Sequence, residues 1–433
     1  MRAIHRTCCV GLGFFVLVAG CGPDEPPVEL APVPPDYPRE LAPGEKALVK
    51  LTDPSQFPDF SMGFEQQTGL EQAAMFSLEY LSKPSSETFF PYLDISHERA
   101  VASVEAFIDV IRSVRSGAEL DRTIKERFDI YTSRGWDELG TVLFTGYYRP
   151  IFDARLKPDA EFRYPLHKRP PDLERSDATG DYQRKGGGRY DTRSEIARGA
   201  LAGRGLELCY LRDPFEAYIV TVQGSGRLRL ADGRLFDIGY HGDNGYEYTS
   251  IGQRLVNEGR ISAADLSLQG LIRYFQEHPG EHESALGVND RYVFFTPRSG
   301  GPYGSLNVPV TPFRTIATDN DVFPRAGVAF LSTNVPGRSA DGSIRQYAYE
   351  GFAMDQDTGG AIRAAGRCDF FLGTGPEVGE LAGRTFAEGR LYYVFVKTDD
   401  PHAAALAGPQ PPQGPESPEP GPVYGPEDFT PEP

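Results

Sequence analysis

Positive charge is scarce in this 433-residue chain, which has 44 Lys and Arg against 61 Asp and Glu and a formal net charge of −17. Because contact with a nucleic-acid backbone requires clustered cations, the composition argues against a nucleic-acid partner. The seven histidines are scattered without the order of a catalytic triad. Neither they nor the five cysteines show metal-ligand spacing such as CxxC. We therefore expect no metal site and no cofactor.

Several motifs of nucleotide and acyl-transfer enzymes are also missing. No P-loop or dinucleotide fingerprint occurs in a strand–helix context. The segment Gly224-Ser225-Gly226 lacks the G-x-S-x-G frame of a nucleophile elbow, which argues against a serine hydrolase. Strand and helix patterns do not alternate along the chain, so a doubly wound parallel sheet is not expected.

The N-terminus has the features of a secretion signal. Basic residues at positions 2 and 6 precede a small-residue and apolar stretch from Cys8 to Gly20, which is short for a membrane-spanning helix. The stretch runs into Leu17-Val18-Ala19-Gly20-Cys21, which resembles the lipobox of bacterial lipoproteins. The resemblance implies cleavage before Cys21 and lipidation of that cysteine; the alternative is a plain signal peptide with an incidental cysteine. Because Gly22 replaces the aspartate that would resemble an inner-membrane retention signal, we expect an outer-membrane lipoprotein facing the periplasm.

Two low-complexity segments flank the body of the chain. Residues 21–44 are rich in proline and acids and are expected to form a flexible, lipidated tether. Residues 399–433 are rich in proline and glutamate, which predicts a disordered tail without a catalytic role. Between them, Cys209 and Cys368 are the cysteines that follow Cys21, and whether they pair stays open at this stage.

The body has a β-rich pattern with a few helices. Ser96 is expected to cap a helix with apolar residues on one face, and Leu120, Ile124 and Phe128 continue with helical spacing. Further helices are predicted at a capping box of Thr192 and Glu195, from Ser250 to Gly259, and from about Ser262. Strands are predicted at Thr141–Tyr148, Tyr218–Gln223, Arg291–Thr296 and Leu391–Lys397. The expected fold class is therefore β-rich α+β.

The densest cluster of potential catalytic residues spans positions 355 to 377. It contains Asp355, Asp357 and Asp369 around a turn at Gly359 and Gly360. A carboxylate at a strand end beside glycine-rich backbone is suited to proton transfer. No other segment of the chain has a comparable density of such groups.

Eight blocks, taken in order, resemble the membrane-bound lytic murein transglycosylase A family, which has a C-terminal three-aspartate domain. They are FTGYYRP, AYIVTVQGSG, GDNGYEYTSIG, NDRYVFF, VPVTPFRTIATD, DTGGAI, CDFF and GTGPEVGELAGR, within residues 140 to 397. The resemblance implies a double-psi β-barrel domain, residues 45–150 plus 297–398, with N-terminal helices. It also implies an inserted β-rich substrate-binding domain, residues 151–296, and a glycan held between the two.

The same resemblance implies cleavage of the β-1,4 bond between N-acetylmuramic acid and N-acetylglucosamine with a 1,6-anhydromuramoyl product. The family's catalytic acid matches Asp369, and its two further aspartates match Asp357 and Asp319, for which turn formation is the alternative role. Such an enzyme would bind peptidoglycan strands and attach to the membrane through its lipid. A cell-wall synthesis or division complex is a possible further partner. Residues expected to contact substrate are Tyr147, Gln223, Gly224, Ser225, Asn244, Gly245, Gly359 and Gly360.

A single acid suffices for this chemistry. A glycosidic oxygen leaves readily only when protonated, and the substrate's own 6-hydroxyl replaces the second carboxylate that hydrolases need. We expect the apolar neighbours Cys368 and Phe370 to desolvate Asp369 and raise its pKa, and we expect Asp355 to be a solvated neighbour. A glycoside hydrolase on a similar barrel and a non-catalytic peptidoglycan-binding lipoprotein remain as alternatives.

Overall fold

The structure is a computed structural model that describes residues 34–176, 181–262, 266, 268–298, 300–359 and 362–406. The described residues from Asp36 onward belong to one compact unit. The predicted signal, Cys21 and most of the tail lie outside the described residues. Within the described part of the chain, no helix is both long and apolar enough to cross a bilayer.

The strands fall into three successive groups. The first contains β1 (Leu48–Lys50), β2 (Phe128–Ser133) and β3 (Val142–Arg149). The second contains β4 (Ile151–Arg155), β5 (Tyr164–His167), β6 (Leu173–Arg175), β7 (Tyr182–Arg184), β8 (Glu207–Leu211), β9 (Ser225–Arg229), β10 (Leu235–Asp243) and β11 (Val293–Arg298). The third contains β12 (Thr315–Ala317), β13 (Val328–Arg338), β14 (Ile344–Asp357), β15 (Arg367–Thr374) and β16 (Phe386–Val396).

The first and third groups form one eight-stranded sheet, six strands of which close into a barrel. The barrel order is β16-β13-β14-β12-β15-β3, and it closes because β3 also pairs with β16. β12 is parallel to β14 and β15 is parallel to β3, whereas the other barrel pairs are antiparallel. The second group forms a six-stranded and a two-stranded sheet. The predicted fold class, a barrel with a second β-rich part inserted and a few peripheral helices, is confirmed.

Helices cover the outside of both parts. They are α1 (Leu70–Leu81), α2 (His97–Ser113), α3 (Gly117–Arg127), α4 (Arg193–Ala197), α5 (Pro214–Gln223), α6 (Ile251–Asn257), α7 (Leu268–Glu277), α8 (His282–Leu286), α9 (Pro376–Ala382) and α10 (Pro401–Leu406). Short 3-10 helices occupy Pro54–Gln56, Ser61–Gln66, Pro84–Phe89 and Pro279–Glu281. The apolar faces of α1 and α2 pack on the barrel core, while α5, α6 and α7 pack on the core of the inserted sheet.

Several local predictions are confirmed at the helix ends. The Ser96 side chain accepts a hydrogen bond from the Arg99 amide at the start of α2. Thr192 and Glu195 form the predicted capping box of α4, and Ser250 caps α6. These ends could be predicted because a capping side chain and the amide it binds lie within one turn of each other.

Two element predictions are wrong. Residues Tyr218–Gln223 form the second half of α5 rather than a strand, although their β-branched composition favours a strand. The Asp213 side chain accepts hydrogen bonds from the first turn, Pro214 occupies its first position, and Gly224 ends it with a φ of 68°. Phe128 begins β2 rather than continuing α3.

Both flanking segments are more structured near the body than predicted. Within the predicted tether, Tyr37 packs its ring edge-on against Trp136, and Arg39 forms an ion pair with Glu138. Within the predicted tail, Asp400 pairs with Arg127 at 2.8 Å just before α10. These specific contacts hold segments whose composition alone argued for disorder.

Candidate active site

A cleft of about 430 Å³ opens between the barrel and the inserted sheet. Its barrel wall contains Tyr147, Ala317, Asp357, Asp369 and Phe371. Its other wall comes from the inserted part and includes Arg193, Thr221, Gln223, Tyr248, Asn289 and Arg291. The chain therefore brings residues that are more than 200 positions apart to one concave surface, the usual setting of an active site.

Strand pairing sets the acids of this cleft in one row. Ala317 in β12 is paired on one side with Asp357 of β14 and on the other side with Asp369 of β15. Asp369 is in turn paired with Thr145 of β3. Since neighbouring strands lie about 4.8 Å apart, the Cα atoms of the two aspartates are roughly 10 Å apart. The small side chain of Ala317 between them leaves that space open.

Asp369 is held through one of its carboxylate oxygens. The Thr145 hydroxyl donates a short hydrogen bond to Oδ1, and the Arg367 guanidinium lies 3.4 Å from the same atom. Oδ2 accepts no hydrogen bond from the residues that the structure describes, and the side chain is about 20% exposed. This arrangement fixes the carboxyl group while it leaves one oxygen available to a substrate.

The expected source of desolvation around Asp369 is wrong. Cys368 and Phe370 are fully buried in the barrel core, whereas Asp369 and Phe371 line the cleft. Because successive side chains of a strand point to opposite faces, the residues adjacent in sequence cannot surround the carboxyl group. The apolar surface beside it comes from Phe371, two positions further along β15.

Asp357 is the most firmly bound acid of the cleft. Oδ1 accepts hydrogen bonds from the amides of Ser305 and Thr358, both at 2.8 Å, and Oδ2 accepts one from the Tyr147 hydroxyl at 2.9 Å. Burial nevertheless raises the pKa of Asp357 to about 6, and the nearby Asp369 charge adds to the rise. Asp357 can therefore exchange a proton close to neutral pH.

Asp355 is buried, contrary to the expectation that it is solvated. It is 1% exposed, and Oδ2 accepts hydrogen bonds from the hydroxyls of Thr318 and Tyr393, both at 2.7 Å. Burial raises the pKa of Asp355 to about 7. A β-bulge at Gln356 lies between Asp355 and Asp357. The side-chain amide of Gln356 donates a hydrogen bond to the Ala73 carbonyl of α1 at 2.7 Å.

Asp319 lies outside the cleft lining. It is 7% exposed, and its two oxygens accept hydrogen bonds from the amides of Asp321 at 3.1 Å and Ala364 at 2.8 Å. It thereby links the loop after β12 to the turn that leads into β15. Ile362, two positions before Ala364, lines the cleft, so Asp319 holds a turn that borders the cleft.

The residues predicted to contact substrate divide into three sets. Tyr147, Gln223, Ser225 and Gly359 line the cleft, and Gly224 lines an adjoining cavity of about 540 Å³ that shares Gln223 and Asp357 with it. Gly360 lies outside the described residues. The remaining two, Asn244 and Gly245, do not line either cavity.

Asn244 and Gly245 have internal structural roles, which corrects their predicted one. The Asn244 amide donates to the carbonyls of Asp191 and Asp290, and its oxygen accepts from the Tyr292 amide, so the fully buried side chain has no group left for a sugar. Gly245 has a φ of +79°, and a Cβ there would lie 2.2 Å from the Tyr182 carbonyl oxygen.

Several residues that line or support the cleft were not predicted from the sequence. Thr145 stands in the FTGYYRP block, but its contact with Asp369 depends on pairing between strands 224 residues apart. Arg193 and Arg291 place positive charge on the wall opposite the aspartates, and Arg291 is paired with Asp243 at 2.7 Å. Arg291 stands in the NDRYVFF block, but neither arginine was among the residues predicted to contact substrate.

Cys209 and Cys368 are both buried and free, which answers the question of their pairing. Cys209 lies in the inserted sheet and Cys368 in the barrel. Burial raises the pKa of the Cys209 thiol to about 12. Among the described residues, no group of three or more His, Cys, Asp or Glu side chains is arranged to hold a metal ion.

Comparison with known proteins agrees with this architecture. Residues 143–296 match the model of the MltA specific insert domain, and residues 314–395 match that of the 3D domain. The membrane-bound lytic murein transglycosylase A of Escherichia coli (strain K12) is 31% identical over 282 residues, which cover 64% of this chain and 72% of the relative. The chain belongs to the membrane-bound lytic murein transglycosylase A family. The family predicted from the ordered blocks is thus confirmed.

Solved structures of the family share the fold. A crystal structure of Escherichia coli MltA with bound chitohexaose is 25% identical with a TM-score of 0.62, and the match covers 83% of this chain and 98% of that one. A crystal structure of a membrane-bound lytic murein transglycosylase from Agrobacterium tumefaciens is 24% identical with a TM-score of 0.66, covering 81% and 98%. The second likeness concerns the fold alone.

Proposed function

We propose that this chain is a lytic transglycosylase of peptidoglycan. It cleaves the β-1,4 bond between N-acetylmuramic acid and N-acetylglucosamine and forms a 1,6-anhydromuramoyl end without using water. Family membership supports the substrate class, as does the chitohexaose bound to the Escherichia coli relative. The observation that carries the proposal is the row of Thr145, Asp369, Ala317 and Asp357 on the barrel wall of an open cleft.

Asp369 serves as the single general acid and base. Its Oδ2 donates a proton to the glycosidic oxygen, and the C–O bond to the muramic acid C1 breaks. The resulting carboxylate then accepts the proton of the sugar's 6-hydroxyl as that oxygen attacks C1. The proton count balances over the step, so no second carboxylate is consumed. Thr145 and Arg367, both on Oδ1, hold the carboxyl group in one orientation throughout.

Asp357 supports this step from the other side of Ala317. As a carboxylate it stabilises the positive charge that develops at C1, and the Tyr147 hydroxyl favours its ionised form. Asp319 contributes indirectly, by holding the backbone at the cleft's edge, since both its oxygens accept hydrogen bonds from backbone amides. Gln223, Ser225 and the aromatic rings of Tyr147 and Phe371 provide polar and stacking contacts to the sugar rings.

The protein is proposed to act at the outer membrane, anchored by lipid on Cys21 and facing the periplasm. The lipobox-like sequence supports this placement, and the Escherichia coli relative is named membrane-bound. We expect a radioactive fatty acid to label the mature wild-type chain and to leave the Cys21→Ala variant unlabelled. Labelling of Cys21→Ala equal to that of the wild type would contradict the anchor.

Mass spectrometry of the fragments released from purified sacculi tests the chemistry. The wild type should release anhydromuropeptides, and Asp369→Asn should lower the rate by about a thousandfold or more while it keeps the fold. Exposed Asp36→Asn is the matched control and should retain full activity. Near-normal turnover by Asp369→Asn would refute the assigned role.

A glycoside hydrolase is the second candidate, and one observation favours it. Asp357 provides a further carboxylate in the cleft, and an acid pair separated by a water molecule is typical of inverting hydrolases. The reaction in ¹⁸O-labelled water separates the two functions, because only hydrolysis incorporates the label at C1. A non-catalytic binding lipoprotein, the third candidate, would release no fragments at all.

A further inference from the structure

A second large cavity adjoins the active cleft on the side of the inserted sheet. It measures about 710 Å³ and lies among β5, α4, α5 and α8. Arg193 and Thr221 line both this cavity and the cleft, so the two spaces share a wall. None of the roles proposed so far uses this space.

The cavity is positively charged in a strongly acidic chain. The described residues of its lining include three arginines, Arg163, Arg193 and Arg198, and a single acid, Glu283. With its histidines neutral, the lining has a formal charge of +2, whereas the whole chain has −17. Such a local reversal of sign concentrates anions at the cavity.

Arg193 is the one buried arginine among these three. It is 7% exposed, and its Nε and Nη2 donate to the backbone carbonyls of Asn289 and Arg291 rather than to a carboxylate. The rings of Tyr218 and Tyr292 lie 4.6 and 5.5 Å from the guanidinium carbon. No carboxylate lies within 4.0 Å of Arg193 among the described residues. A buried cation held only by neutral groups is costly unless an anion reaches it.

Two histidines, His167 and His282, lie in the same lining. His167 is 4% exposed, and its Nδ1 hydrogen-bonds the Tyr292 hydroxyl at 2.8 Å. Nε2 of His282 has no hydrogen-bond partner among the described residues, and the nearest carboxylate oxygen given for it is Oδ1 of Asp213, at 4.0 Å. Burial lowers the pKa of His167 to about 4, so this ring is a neutral hydrogen-bonding group at working pH.

We propose that this cavity binds a carboxylate-bearing peptide, the acidic stem peptide that branches from the glycan strand in the adjoining cleft. The identity of the peptide rests on the proposed function, because peptidoglycan is the glycan that carries such branches. Arg163 and Arg198 are exposed at the cavity and would meet the peptide carboxylates first. Arg193, at the shared wall, would meet the carboxylate nearest the glycan. The cavity thereby favours peptide-bearing strands over bare ones.

Direct binding decides the proposal without reference to turnover. The probe is N-acetyl-L-alanyl-γ-D-glutamyl-meso-diaminopimelic acid, titrated into the full chain by calorimetry. Arg163→Gln/Arg198→Gln should raise Kd about tenfold or more, and Glu283→Gln should lower it. Arg122→Gln, an exposed arginine of α3 on the barrel side, is the control and should bind as the wild type.

Kinetics provide the second measurement. Arg163→Gln/Arg198→Gln should raise KM on peptide-bearing strands and leave kcat/KM on amidase-stripped strands unchanged. Failure of the wild type to bind the acidic tripeptide, equal binding of its triamide, or unchanged binding by the double variant would overturn the cavity's assignment. Failure of the proposed function would give a different result, because the wild type would then release no anhydro product from either kind of strand.

Discussion

The buried carboxyl group of Asp355 makes a sharp prediction about stability and pH. Its Oδ2 accepts two hydrogen bonds, but Oδ1 is buried with no hydrogen-bond partner among the residues that the structure describes. The folded protein therefore favours the protonated form, which raises the pKa of Asp355 to about 7 from 3.8. Asp355→Asn keeps an oxygen that can accept from Thr318 and Tyr393, and it removes the titration.

The sign and size follow from proton linkage. A carboxyl group with a raised folded-state pKa contributes stability that is fully present below pH 3.8 and is lost as pH rises to about 7. At 1.36 kcal/mol per pH unit, the loss for this group is about 4 kcal/mol over that window. The free energy of unfolding of Asp355→Asn, relative to the wild type, should therefore increase by about 4 kcal/mol between pH 4 and pH 7.5.

Urea unfolding followed by fluorescence at pH 4, 5, 6, 7 and 7.5 measures this difference directly. Subtraction of the wild-type values removes the titration of most other groups, although Asp357, which is coupled to Asp355, contributes in part. Exposed Asp36→Asn should show a difference that is small at every pH. A difference for Asp355→Asn that is constant with pH, or that falls as pH rises, would refute the reasoning.

Three further changes test other parts of the structure. Tyr147→Phe removes a hydrogen bond that favours ionised Asp357 and should therefore raise the pKa of Asp357. The rising limb of the pH–rate profile should then shift to higher pH by about half a pH unit to one pH unit. Thr145→Val removes the hydroxyl that holds the proposed acid, and kcat should fall about ten- to a hundredfold with little change in the far-ultraviolet circular dichroism. Gly245→Ala forces a Cβ against a backbone carbonyl and should destabilise by about 2 kcal/mol more than Gly186→Ala, which has a similar φ but open space; equal effects would refute the clash.

Local signals in the sequence predicted local structure well. The caps at Ser96, Thr192 and Ser250 are interactions within one helical turn, and each was found where predicted. The strand predicted at Tyr218–Gln223 failed because the preference of β-branched residues competes with helix-end signals a few residues upstream. Asp213 followed by proline was the signal that could have identified α5 from the sequence.

The site was predictable in its acids and much less so in its partners. Asp357 and Asp369 lie in contiguous motifs, so a resemblance could identify them. Their surroundings depend on contacts between distant segments: strand pairing brings Thr145 to Asp369, and a turn brings the Ser305 amide to Asp357. The assignments that failed, such as Asn244, concern polar residues in motifs whose side chains turned inward to bind backbone groups.

The contrast between Asp355 and Asp357 shows how the fold assigns different tasks to similar residues. They stand two positions apart on β14, where regular alternation would place both on one face, but the bulge at Gln356 separates their surroundings. The pKa of Asp355 rises to about 7 and that of Asp357 to about 6, and each charge disfavours the other. Near neutral pH the pair therefore gains from holding one proton, and the deeper Asp355 is the cheaper place for it. A protonated Asp355 leaves Asp357 ionised in the cleft, where the proposed mechanism needs a negative charge beside the acid at Asp369.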